Sequence, residues 1–154
     1  TQPFQVSTRT AAFGSKALDS LRLEKYYRGG HELANDTCHK DVGQMRFARL
    51  DKDFVGKQAM LARESLSKIT LLALDDAETE CLGGEGVFVG HDLVGSVTSA
   101  AYGHSVGTSL AIAFVKNSAR TEGEQFTVAL LGRRIVARML EEVPYDPDNL
   151  RVRS

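Results

Sequence analysis

From Lys68 to Leu140 short apolar runs follow one another, punctuated by glycine, and that rhythm limits the fold more than any other feature of the chain. Ile69 to Leu74 is almost continuously apolar, as in a strand covered on both faces. Gly83-Gly84-Glu85-Gly86 reads as a turn into Val87-Phe88-Val89, and Gly90-His91-Asp92 separates that run from Leu93 to Thr98, which predicts a hairpin. Tyr102 to Gly107 reads as a loop and Ser109 to Val115 as the next strand. Phe126, Val128 and Leu130 alternate with Thr127 and Ala129 before Leu131-Gly132 turns into Ile135 to Leu140. Five or six such strands joined by Gly turns argue for a small antiparallel barrel or sandwich. None of the glycines forms a GxGxxG run opening a helix, so a phosphate cradle is not expected.

The first part of the chain reads differently, and a boundary falls near Ser67. At about 100° per residue, Ala17, Leu21 and Tyr27 cluster near Phe13, with Leu18 and Leu23 flanking, which predicts a helix packed on that face. Ser15 is its expected N-cap and Gly29-Gly30 its expected stop. Glu24 falls inside the packed face, where a carboxylate needs donors. Two bland readings answer that need: an i,i+4 pair with Arg28, or a small rotation of the helix that brings Glu24 to solvent. The functional reading is a ligand contact, because a carboxylate suits a flat ring bearing two parallel N–H donors, such as a pterin edge. Further on, Met45 and Phe47 alternate with Arg46, suggesting a short strand. Lys57 to Leu66 is rich in helix formers, with Ala59, Met60 and Leu61 as its buried contacts.

Composition narrows the function classes. A formal net charge of −1 gives no electrostatic case for nucleic acid, and no apolar run approaches membrane-spanning length. The protein is expected to be cytoplasmic, with the mitochondrial matrix as the alternative. Cys38 and Cys81 are far apart with no CxxC spacing, so they read as free thiols, and no metal site is expected; the adjacency of Cys38 and His39 is not the geometry that activates a thiolate. Asp75 to Glu80 reads as a solvated acidic connection. The polar stretch Thr1 to Thr10 reads as a piece of a longer chain.

Leu21-Arg22-Leu23-Glu24-Lys25, Tyr27-Arg28 and Gly30-His31-Glu32-Leu33 together resemble the signature of the aminomethyltransferase family, the glycine-cleavage T-proteins. They are more similar still to the folate-binding parts of dimethylglycine and sarcosine dehydrogenases. Leu50-Asp51-Lys52-Asp53-Phe54-Val55-Gly56-Lys57, Val94-Gly95-Ser96-Val97-Thr98-Ser99 and Leu110-Ala111-Ile112-Ala113 resemble further family segments in the same order, so that the resemblance runs from about Ala11 to about Pro147. It implies an α+β fold: residues 1–67 as the C-terminal part of a folate-binding domain, and 68–154 as a small antiparallel β-barrel. It also implies tetrahydrofolate as cofactor and one-carbon units from glycine-, sarcosine- or dimethylglycine-type donors as substrate. By the same resemblance Glu24 holds the pterin edge, Tyr27 and Arg28 border the folate pocket, and Lys52 is the basic contact. The family's N-terminal portion, which carries its catalytic aspartate, has no counterpart here, so the isolated chain is expected to be inactive. Its expected partner is that missing portion or a second copy. The alternative function is a non-catalytic scaffold or docking domain of a larger oxidoreductase. Two departures stand out: Cys38 to Gly43 replaces the family's Thr-Pro loop, with Asp41 in the place of its Glu, and the tail Asn149-Leu150-Arg151 lacks the aromatic of the glycine-cleavage members.

Overall fold

A computed structural model describes residues 12–76, 81–121, 123–151 and 153. The expectations for Thr1 to Thr10 and for the end of the acidic connection at 77–80 lie outside the described residues. Helix α1 (Ser15–Glu24) is followed by a long irregular segment carrying a 3-10 turn (Met45–Phe47) and the short helix α2 (Lys57–Ala62). Six strands complete the chain: β1 (Ser67–Leu74), β2 (Gly86–Val89), β3 (Asp92–Gly103), β4 (Thr108–Lys116), β5 (Gln125–Leu130) and β6 (Arg133–Leu140).

The strands close into an antiparallel barrel in the order β1-β4-β3-β2-β5-β6, with β1 paired to both β4 and β6. The α+β expectation, a helical segment followed by a small antiparallel barrel, therefore holds. Strand alternation explains the apolar run of β1. Leu72 and Leu74 point into the barrel with Val97, Ala111, Val115, Phe126 and Val128. Ile69, Leu71 and Ala73 belong to a second core with Leu110, Ile112 and Leu23 of α1. Leu23 is wholly buried there, which contributes about 2 kcal/mol to holding the helix on the barrel wall. At the β5–β6 hairpin both Leu131 (φ 49) and Gly132 (φ 79) are left-handed, and Leu130 pairs with Arg133, as a two-residue turn requires.

The irregular segment corrects several expectations. Phe13 is 71% exposed and Leu21 58%, with Ala17, Leu18 and Tyr27 also exposed, so the apolar stripe of α1 faces away from the barrel. The buried side carries Ser20, Leu23 and Glu24. Polar groups can take that side because the barrel wall supplies partners: Ser20 Oγ donates to Tyr102 O at 2.6 Å. The N-cap is Gly14 and makes no side-chain cap bond, and the helix stops at Glu24. The left-handed residue that turns the chain is Tyr26 (φ 52), not Gly29 or Gly30. Met45 to Phe47 is a 3-10 turn rather than a strand. α2 ends at Ala62, with Ala59 and Leu61 exposed and Met60 half-buried, because no layer covers it.

Candidate functional site

Where the C-terminal half of α1 crosses the end of β3, a cavity of about 540 Å³ opens between the helix and the turn at 104–107. Its polar lining comes from Lys16, Asp19, Ser20, Glu24, His104 and Ser105, and Leu21, Cys81, Leu82 and Ala101 add an apolar side. Glu24 is only 1% exposed, and its Oε1 accepts the backbone N–H of Ser105 at 2.6 Å. A carboxylate offers about four lone-pair sites, so this single bond fixes its orientation and leaves acceptor capacity. Among the described residues Ser105 is its one hydrogen-bond donor. Gly103 permits the approach, since a Cβ there would stand 2.7 Å from Val106 Cγ2 and 3.2 Å from Glu24 Cγ. Beside it the His104 ring meets Tyr102 edge-on at 5.1 Å. Burial pushes the Cys81 thiol up to about 11, with Glu85 adding to the rise, so it lines the cavity as a neutral group.

Arg28 is not the partner of Glu24. The chain leaves the helix before it, and Arg28 Nη1 donates instead to Tyr26 O at 2.7 Å, with the guanidinium 4.1 Å above the Tyr26 ring. Nor does Glu24 turn to solvent. Both bland readings of this carboxylate are thus replaced by a backbone contact from a loop 81 residues away in sequence.

The four residues singled out from sequence do not gather at one place. Glu24 lines the cavity under α1, whereas Tyr27 and Arg28 line a separate cleft of about 650 Å³ near Val143 and Pro147. Lys52 is exposed and lines neither; its backbone carbonyl accepts a bond from Lys57 Nζ at 2.9 Å. Tyr102, His104 and Ser105 were legible only as a loop, and nothing in their spacing announces the cavity they wall.

A second buried carboxylate, Glu32, secures the segment after α1. It is 0% exposed and accepts hydroxyl bonds from Thr98 and Ser99, both at 2.6 Å, and the Gly29 N–H at 2.6 Å, with Arg22 Nη1 at 3.3 Å. Burial opposes its charge, but the Ser99, Thr98 and Gly29 donors and the Arg22 guanidinium outweigh it and hold the carboxyl below its ordinary value. Asp41, in the departing loop, is also buried; it accepts the Cys38 N–H at 2.9 Å and faces Arg63 at 3.4 Å, a structural role within its own turn.

Residues 68–146 match the family described as the glycine cleavage T-protein C-terminal barrel domain. The chain belongs to that family. Mitochondrial dimethylglycine dehydrogenase of Mus musculus is 37% identical over 138 residues, covering 84% of this chain and 16% of the relative. Aminomethyltransferase of Thermotoga petrophila is 31% identical over 143 residues, covering 92% of this chain and 38% of the relative. Among solved structures, the glycine cleavage system aminomethyltransferase T of Bartonella henselae superposes with a TM-score of 0.74 at 23% identity, over 83% of this chain and 37% of that one, a likeness of fold. The chain therefore spans well under half the length of these relatives. Among its described residues no helix is long and apolar enough to cross a membrane, and no His, Cys, Asp and Glu side chains group as a metal site.

Proposed function

We propose that this chain forms one wall of a tetrahydrofolate site in a larger protein that handles one-carbon units from glycine-, sarcosine- or dimethylglycine-type donors. The observation that carries the reading is Glu24: a buried carboxylate, oriented by the Ser105 N–H and lining a cavity large enough for a ring system. The donor set fits the group, because a fixed carboxylate matches the paired N–H edge of a pterin, and the apolar side made by Leu21, Leu82 and Ala101 suits its ring faces. When bound, tetrahydrofolate supplies the nitrogen that takes up the one-carbon unit. The chain's own part is to bind and orient: Glu24 fixes the ring edge, Ser105 and Gly103 fix Glu24, and the wall of α1 keeps water from one side. The exposed apolar side chains of α1, of which Leu21 lines the cavity, leave a surface that further parts of a larger protein would cover to close the site.

Isothermal titration of the chain with a reduced folate tests this. Saturable binding by the wild type, lost in Glu24→Gln at an unchanged melting temperature, is expected. Absence of heat at high ligand concentration, or equal affinity in the variant, leaves only a scaffold.

A further inference from the structure

Glu24 is the last residue of α1, where the helical ladder restrains a side chain least. The tail after β6 meets the helix at that point. Tyr145 donates its N–H to Glu24 O at 3.2 Å, filling one of the carbonyls that a helix end leaves open. The next residue of each segment makes a second tie. Lys25 Nζ donates to Asp146 O at 2.6 Å and to Asn149 Oδ1 at 2.7 Å, and it lies 3.6 Å from Asp146 Oδ2. The two side chains are only 12% and 7% exposed, so this ion pair is largely out of water. Asp146 Oδ2 is buried and makes no hydrogen bond, which leaves the Lys25 ammonium to offset its charge. Asp146 Oδ1 accepts the Leu150 N–H at 2.8 Å, and the Asn149 N–H closes on Asp146 O at 3.0 Å, so the tail wraps around the ammonium in one turn.

The backbone marks the same place. Among the described residues four non-glycine residues are left-handed; Leu131 sits in the β5–β6 hairpin, and the other three, Tyr26, Asp146 and Asn149, meet at this clasp. Such conformations are unfavourable for residues with a side chain and persist where the surroundings over-determine them. Tyr26 takes the chain out of the helix directly after Lys25, and Asp146 and Asn149 fold the tail onto it. The tail, Lys25 and Arg46 wall the cleft that also holds Tyr27.

We propose that Lys25 is a positioning residue for Glu24. Through the clasp it holds the tail against the end of α1, which keeps the Glu24 carboxylate on the Ser105 N–H and its remaining lone pairs toward the cavity. What Glu24 then binds rests on the folate reading, whereas the effect of the clasp on Glu24 does not. The test measures amide-resolved hydrogen exchange in the ligand-free chain and, separately, titrates it with a reduced folate. In Lys25→Met, which keeps the stem and removes the charge, exchange at the Ser105 amide should rise at least about ten-fold while amides of β5 and β6 stay within about two-fold of wild type. Asp146→Asn, which keeps the shape, should move Ser105 in the same direction by about three-fold, and it keeps the test valid should Lys25→Met fail to fold. Affinity for the reduced folate should fall in the same order. Ser105 exchange that is unchanged in both variants, or that rises only in step with the barrel amides, overturns the proposal. So does a selective rise at Ser105 with folate affinity unchanged. A wild type that binds no folate defeats the folate reading, and the exchange comparison then decides the clasp by itself.

Discussion

Replacing Glu32 by Gln removes one charge and keeps the shape, at a side chain that ties the segment after α1 to the barrel. Its Oε1 takes the Thr98 and Ser99 hydroxyls, and its Oε2 takes the Gly29 N–H and Arg22. An amide nitrogen in the Oε2 place would confront two donors, so the amide must point toward the hydroxyls, which can rotate to accept. What is lost is charge assistance on three short bonds, about 1 kcal/mol each, for a total near 3 kcal/mol. For a chain of this size that corresponds to a fall of about 6–12 °C in melting temperature. The sign of the pH dependence follows from the lowered carboxyl. Its contribution is present in full above the ordinary value of 4.5 and is lost as pH falls below that toward the folded-state value. Urea midpoints of wild type and variant should thus stay apart at neutral pH and converge on acidification below that value. A variant melting within about 2 °C of wild type, or a gap that widens in acid, refutes the reasoning.

Gly103→Ala should lower stability by about 1–3 kcal/mol and weaken reduced-folate binding together, because the new Cβ crowds Val106 and Glu24; a thermal melt and a titration that are both unchanged would contradict it. With its thiol at about 11, Cys81 should resist iodoacetamide at pH 8 while half-buried Cys38 is alkylated, and peptide mapping that finds both labelled at equal rates would show the wall around Cys81 to be open.

The barrel was legible because each of its strands has a local signature. The apolar run at 69–74 is a strand between two cores, and Leu131-Gly132 is a two-residue turn. The helix was harder, since its periodicity located an apolar stripe but not the side that packs. Phe13 and Leu21 stay exposed, while Ser20 and Glu24 go inward to meet Tyr102 O and the Ser105 N–H. Those partners are more than 80 residues away, and only the closed barrel brings them under the helix. Tyr27 and Arg28 follow Glu24 closely in sequence, yet the left-handed Tyr26 sends them to a different cleft. Glu32 carried a weak signal in the Gly30-His31-Glu32-Leu33 segment, but its hydroxyl partners on β3 did not.

The Ser105 amide is the most direct reporter of the central claim, because it donates to the carboxylate on which the folate site depends. In amide-resolved nuclear magnetic resonance spectra, titration with a reduced folate should shift the Ser105 resonance saturably, together with Ser20 and Ala101 on the cavity wall. Shifts confined to the cleft around Tyr27 and Arg46, with Ser105 unmoved at saturation, would contradict the account.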